Sequence, residues 1–325
     1  MTQHELAVDS PSILPAVNLY AEIEELIRQI PWGRVSTVTQ LALALGDASA
    51  SRAVYEVVRD TSISKALPLH RVVTADGKSV AGYREDAQGL LGKEGLIFRD
   101  RRVRELEKVS FQDLQCTQPL ARLRRLQAKV AKEAVQTCRL GPEVNEIGGV
   151  DVAYKGREAY SCCAVLNREL GLVKETRTHS LVEFPYVSTY LAFREGPSIL
   201  SVLKALPQLP DIVLINGSGI EHPMGCGLAT HVGVILDTPT IGVTTRLLSG
   251  SVQGPPEDGA AILQHGKKVG SVLQTATFRP IYVSPGHRVS VDSCHRIVKT
   301  FIGQHRLPEP IWQAHVRARS FLKGR

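Results

Sequence analysis

The chain has 325 residues, a length that predicts two domains. Hydrophobic residues make up 43% and charged residues 22%, which excludes a disordered tail, and no apolar run approaches the roughly 20 residues of a membrane span. The net charge of +7 leaves room for a polyanionic partner.

The first fifteen residues lack a basic start followed by a long apolar stretch, so no signal peptide is expected there and they read as a flexible N-terminus. Over residues 16–30, Val17, Leu19, Tyr20, Ile23, Leu26, Ile27 and Ile30 fall at helical spacing, and Pro31 and Gly33 end the helix. Ser36 or Thr37 can cap a second helix from Val38 to Leu45, and a third runs from about Ser51 to Arg59. Helix, tight turn, helix is the helix-turn-helix pattern. Asp76-Gly77 is a hairpin signal between Arg71–Val73 and Ser79–Ala81, which predicts a small wing.

Residues 101–118 are charged and aperiodic and read as a linker between a domain at 16–100 and one at 119–318, with 319–325 as a tail. From Leu120 to Val135 one helix face is apolar. IGGVDVAY, AYSCCAVLN and LGLVKETRTHSLV read as three antiparallel strands. A helix over 197–206, a buried strand at 211–217, a helix over 225–236 and a strand in PTIGVTT follow, which predicts a mixed α/β sheet. The six cysteines form no CxxC pair and read as reduced thiols of a cytoplasmic protein.

Charge is uneven along the chain. Residues 1–50 carry two bases against six acids, 101–150 ten against six, and 301–325 five against one. The two basic stretches suit nucleic acid; a solvated surface accounts for them equally well.

IPWGRVSTVTQLALALG, SRAVYEVVRD, LPLHRVV, DGKSVAGY and LLGKEG occur in order within the first domain. Together they resemble the DNA-binding domain of O6-alkylguanine-DNA alkyltransferases and alkyltransferase-like proteins. The resemblance implies a winged helix-turn-helix, with Arg52 entering the base stack as a nucleotide flips. It implies nucleic-acid contacts for His70, Arg71 and Tyr83 as well. A solvated helix charge is the plainer reading of Arg52, and a loop-fixing hydrogen bond that of His70. The family acceptor is the Cys of Pro-Cys-His-Arg, and here Leu69 stands in its place, so no alkyl transfer is expected. Val38 stands where the family usually has Tyr.

GGVDVAY, FPYVSTYLAFREGP, PDIVLINGSGIEHPMGCGLATHVGVILDTPTIGV and SPGHRVSVDS resemble endonuclease V from about residue 120 to about 315. That resemblance implies an RNase H-like fold and Mg²⁺-dependent cleavage near deaminated bases, with Mn²⁺ as a second ion for the same place. Phosphodiester hydrolysis needs an activated water and charge neutralisation, and hard Mg²⁺ takes oxygen ligands. Asp151 on the first strand, Glu195 in FRE, Asn216 and His287 are the implied catalytic set; Asp151, Asn216 and Asp292, placed on the last helix, are the implied metal ligands. Structural readings of Glu195, Asn216 and His287 stay open: pairing with Arg194, a strand-end turn and a satisfied histidine.

The family has Asp-Gly where Asn216-Gly217 stands, a lysine where Thr245 stands, and basic residues after His-Pro where Met224-Gly225 stand. Tyr186 matches the start of a wedge that splits the duplex. Gly217, Gly219 and His222 fall where a flipped base would be read. The expected molecule is therefore a multi-domain α/β protein, a winged helix-turn-helix followed by an RNase H-like mixed α/β domain. Its expected partner is damaged DNA bearing O6-modified guanine or hypoxanthine, with inosine-containing RNA and other repair proteins as further candidates and no membrane. The competing reading is a binding-only damage sensor.

Overall fold

A computed structural model describes residues 14–60, 66–80, 86–137, 144–275 and 277–324. Within them the chain forms two units. One holds residues 17–125 and 183–190; the other holds 14–16, 126–182 and 191–324. No helix among the described residues is long and apolar enough to cross a membrane.

The first unit opens with α1 (Leu19–Arg28), capped where the Asn18 side chain accepts from the Ala21 amide, and buries Leu19, Ile23, Leu26 and Ile27. After β1 (Ser36–Thr37), α2 (Val38–Ala44) starts in a capping box. The Gln40 amide donates to Thr37 Oγ1 (3.1 Å), and the Thr37 amide donates to the Gln40 side chain (2.7 Å). Asp47 caps the short turn that leads into α3 (Ser51–Arg59), which buries Ala53, Val54, Val57 and Val58 and leaves Arg52 exposed.

The expected hairpin is present over its described residues: Val73 bridges Ser79 in antiparallel register, and the Val80 and Thr74 amides donate to the Val72 and Lys78 carbonyls (3.2 and 2.8 Å). Gly77 makes the turn at φ +80. Beyond that expectation, β2 (Val72–Val73) also pairs in parallel with β1. Ala81 and Tyr83 lie outside the described residues. The helix α4 (Ala87–Lys93) follows.

The stretch expected to be a linker is folded. β3 (Phe98–Arg99) pairs with β4 (Arg102–Val103), α5 spans Leu106–Val109, and the Val35 and Phe111 amides bond to Val109 and Val35 carbonyls. Val103 joins Val35, Val73, Leu91 and Leu96 in a small core. Val103, together with Leu106 and Val109 packed against that core, anchors this segment, a run too short to stand out as periodic among its charged neighbours.

The division between units falls within α6 (Pro119–Glu133). The second unit is built on β5 (Ile147–Lys155), β6 (Glu158–Leu166) and β7 (Leu172–Leu181), antiparallel as expected. The helix α7 (Leu191–Lys204) starts earlier than the sequence suggested: Pro197, read as a first helical residue, sits inside it. β8 (Ile212–Asn216), α8 (Leu228–Leu236) and β9 (Thr240–Thr244) follow. Four strands come next, β10 (Ser251–Val252), β11 (Ala261–Gln264), β12 (Lys267–Leu273) and β13 (Ile281–His287), then α9 (Val291–Thr300) and α10 (Glu309–Lys323). Most of the expected C-terminal tail is therefore the end of a helix.

The nine strands form one mixed sheet in the order β10-β11-β12-β13-β9-β8-β5-β6-β7. Strand alternation gives it two apolar faces. Ile212, Leu214, Ile241 and Val243 pack with α9 and α10, whereas Val213 and Ile215 pack with α7 and α8. Gly149 makes the α10 face possible, because a Cβ there would fall inside the Pro310 carbonyl. The helix thus starts almost on the backbone of β5.

Candidate functional site

Asp151 leaves that strand two residues beyond Gly149, on the same face and therefore toward α10. Only 8% of it is exposed. Its Oδ1 accepts from Asn216 Nδ2 at 2.9 Å, the last residue of the neighbouring parallel strand β8. Its Oδ2 lies 2.7 Å from His315 Nδ1 on α10. The imidazole is braced in turn: His315 stacks with Trp312, and Trp312 stacks with His305 at 4.1 Å, which pairs with Glu309.

Glu195, half-buried on α7, approaches from the other face of the sheet edge. Burial pushes its carboxyl up to about 7; the Asp151 charge adds to the rise, while Tyr154 and Arg194 oppose it. The Arg194 guanidinium lies 4.4 Å from the centre of the Tyr154 ring. A groove of about 500 Å³ runs from Asp151 and His315 past Arg319 to Lys323. Those three α10 residues are spaced four apart and share a helix face.

Asp151 and Glu195 offer carboxylate oxygens, and a half-turn of the Asn216 amide offers a third hard oxygen. Among the described residues no group of three or more His, Cys, Asp or Glu is arranged to hold a metal. Asn216, an amide beside Asp151, adds an oxygen but no charge to the two carboxylates. The donors suit a hard divalent cation in chemistry but bring one negative charge fewer than three acids.

The chain as a whole resembles known proteins in sequence and fold. Residues 125–316 match the Endonuclease V family, and residues 18–99 match the 6-O-methylguanine DNA methyltransferase DNA-binding domain. The chain belongs to the endonuclease V family. It is 32% identical over 313 residues to a bifunctional methyltransferase/endonuclease of Picrophilus torridus, covering 94% of this chain and 97% of that one. The crystal structure of endonuclease V from Streptomyces avermitilis matches with a TM-score of 0.58 at 33% identity, covering 62% of this chain and 92% of that one. Ciona intestinalis endonuclease V, in complex with a 24mer DNA containing an inosine followed by a ribo-adenosine, matches with a TM-score of 0.54 at 29% identity, covering 63% of this chain and 98% of that one. Endonuclease V enzymes are metal-dependent nucleases, and this member is a DNA-repair fusion whose N-terminal unit is an alkyltransferase-like DNA-binding domain.

The structure redistributes several residues expected at the endonuclease V site. His287 is not brought to Asp151. It lies opposite Thr240 on β13, three strands across and about three residues down the sheet, roughly 17 Å away by sheet spacing. Its Nδ1 accepts from the Val135 amide (3.2 Å) and its Nε2 faces Asp237 (3.1 Å), so it is a satisfied, buried histidine. Asp292 begins α9, not the last helix, and pairs with Lys268 on β12 (2.7 Å), four strands from β5.

His315 is the residue that sequence reasoning missed. Its signal was LPEPIWQAH, where Pro308 and Pro310 mark a helix start and His315, Arg319 and Lys323 recur every four residues.

The reading residues shift too. Gly219 makes its close approach to the protein: a Cβ there would meet the Pro285 carbonyl. Gly217 donates its amide to Val243, and His222 is buried, its Nδ1 accepting from the Met224 amide at 3.1 Å. Thr245 follows β9 and is exposed, its carbonyl accepting from Arg306 (3.1 Å).

In the first unit, His70 and Arg71 turn inward onto Glu94, at 2.7 and 2.9 Å, so both fix the loop and neither is offered to a phosphate. Leu69 is 1% exposed. Arg52 and Tyr186 remain on the surface, Tyr186 62% exposed.

Proposed function

We propose that this protein is an endonuclease that cuts DNA near hypoxanthine with Mg²⁺ as its preferred ion, and that its N-terminal unit reads O6-alkylated guanine without repairing it. The observation that carries the nuclease reading is the Asp151 carboxylate held between Asn216 and His315. Asp151, Glu195 and the Asn216 amide oxygen would hold the cation. When bound, it supplies a Lewis acid that lowers the pKa of a bound water and offsets charge on the phosphate. His315 orients Asp151 and can hold or release a proton at the groove. Arg319 and Lys323 lie along the groove wall, where they can pair with the phosphates of the strand.

Cleavage of hypoxanthine-containing DNA measured against Mg²⁺ concentration tests this. Asn216→Asp restores one negative charge and should lower the Mg²⁺ needed by about tenfold. Thr245→Lys should raise the rate further by adding a cation. His315→Ala should cut the rate by about 10²-fold, whereas His287→Ala should lower stability and leave the cleavage rate of the folded protein intact. A chain that binds hypoxanthine DNA but cuts it in neither Mg²⁺ nor Mn²⁺, with Asn216→Asp equally inert, overturns the nuclease reading in favour of a damage sensor. Saturating cleavage at low Mg²⁺ in the unmodified chain, unchanged by Asn216→Asp, would remove Asn216 from the metal.

A further inference from the structure

Tyr186, which matches the start of the nuclease wedge by sequence, lies within residues 183–190, and these fold as part of the N-terminal unit. Three apolar side chains at three-residue spacing anchor this strap: Phe184 and Val187 are 2% exposed and Tyr190 is fully buried. Between them Tyr186 points outward.

The anchor converges on one carboxylate. Tyr190 Oη donates to Asp47 Oδ2 (2.6 Å), and Arg124 Nη2 donates to the same oxygen (2.7 Å). Arg124 also lies 4.3 Å from the Tyr190 ring centre and donates to Thr189 Oγ1 at 3.1 Å. Thr189 sits at φ +67, a region costly for a β-branched residue, so its conformation needs such support. The other oxygen of Asp47 accepts from the Ser49 amide at 2.9 Å, capping the turn that leads into α3 and Arg52. Although burial works against its charge, hydrogen bonds from Tyr190, Arg124 and Ser49 hold the Asp47 carboxyl down at about 2.

We infer that Asp47 is a positioning residue that mounts the Arg52 helix and the Tyr186 strap as one base-unstacking surface for duplex DNA. An arginine replaces an extruded base from one element, and an aromatic ring takes up a lost stacking partner from the other. Their common mount fixes the two probes relative to each other. The strap runs directly into α7, which carries Glu195 five residues beyond Tyr190. The inference rests on the nucleic-acid reading proposed above but not on which lesion is preferred.

The test is a double-mutant cycle in the full chain. Arg52→Ala and Tyr186→Ala, singly and together, are scored by affinity for a mismatched duplex and by the fluorescence of 2-aminopurine at the mismatch. The cycle is repeated in Tyr190→Phe, which keeps the ring and removes only the hydroxyl, and in Asp47→Asn, which keeps a cap for Ser49. The expected result is a joint effect on the order of fivefold away from the product of the single effects, lost in both backgrounds. Additive effects in the unmodified chain overturn the shared surface. Coupling that survives both Tyr190→Phe and Asp47→Asn overturns the role of Asp47. Loss of hypoxanthine or O6-methylguanine preference alone, with coupling intact on the mismatch, would sink the lesion assignment and leave this inference standing.

Discussion

Glu221 is 1% exposed and accepts from the amides of Leu248 (2.8 Å) and Ser249 (2.9 Å), which ties the loop after β9 to the segment after β8. Burial pushes its carboxyl up to about 7, opposed by those two amides. A folded-state pKa above the unfolded one means the neutral form is favoured in the fold. That stability is fully present below about pH 4.5 and lost as pH rises through 7. Glu221→Gln cannot ionise, so its stability relative to the parent should rise by up to about 3 kcal/mol between pH 4.5 and pH 8. Denaturation midpoints at the two pH values check this, and an identical difference at both would refute it. Residue chemistry also decides the N-terminal unit. Leu69 has no nucleophile, and burial together with the nearby Glu22 charge pushes the Cys116 thiol away from its reactive form. DNA carrying a labelled O6-methyl group should leave no label on the protein; label recovered within residues 17–125 would contradict this.

Two glycines show how packing between elements sets cost. A Cβ at Gly149 meets the backbone of Pro310, which cannot move aside as a flexible side chain could. Gly149→Ala should therefore push α10 from β5, cost on the order of 3 kcal/mol or more, and part His315 from Asp151. Gly92 in α4 has nothing within 4 Å of the same atom, so Gly92→Ala should stabilise by about 0.5–1 kcal/mol. Urea melts of both variants decide the matter; equal effects would show that the β5–α10 approach is not tight. The helices legible in the sequence were those with a clean apolar stripe and a cap, such as α1 and α2. The pairing of β2 with β1 was not, because a two-residue strand has no period and its partner lies over thirty residues away.

At the scale of the whole molecule, Arg319 and Lys323, from the basic stretch 301–325, are exposed, as is Arg52. Affinity for DNA should fall steeply and linearly on a logarithmic salt axis, and replacing Arg319 and Lys323 with Gln should reduce the slope by about one for each phosphate no longer neutralised. Binding that is flat from low to high salt would show that these charges are merely solvated. The division of the chain is also a whole-molecule property: residues 183–190 lie beyond the third strand of the second unit in sequence but belong to the first unit in space.

The sequence alone determined the two-domain order, the helix-turn-helix, the antiparallel β5–β7 start and the place of Asp151, because each is written in local periodicity, caps or an ordered set of motifs. It also determined that Leu69 cannot accept an alkyl group and that Asn216 withholds a charge, since both are facts of side-chain chemistry. Only the tertiary structure decided which histidine stands beside Asp151. His287 and His315 are equally plain in the sequence, but strand order carries the first to the far end of β13 while the glycine at 149 lets α10 deliver the second. It likewise decided that Tyr190 reaches Asp47 across 143 residues, a hydrogen bond that depends on the path of the chain and leaves no local pattern to read.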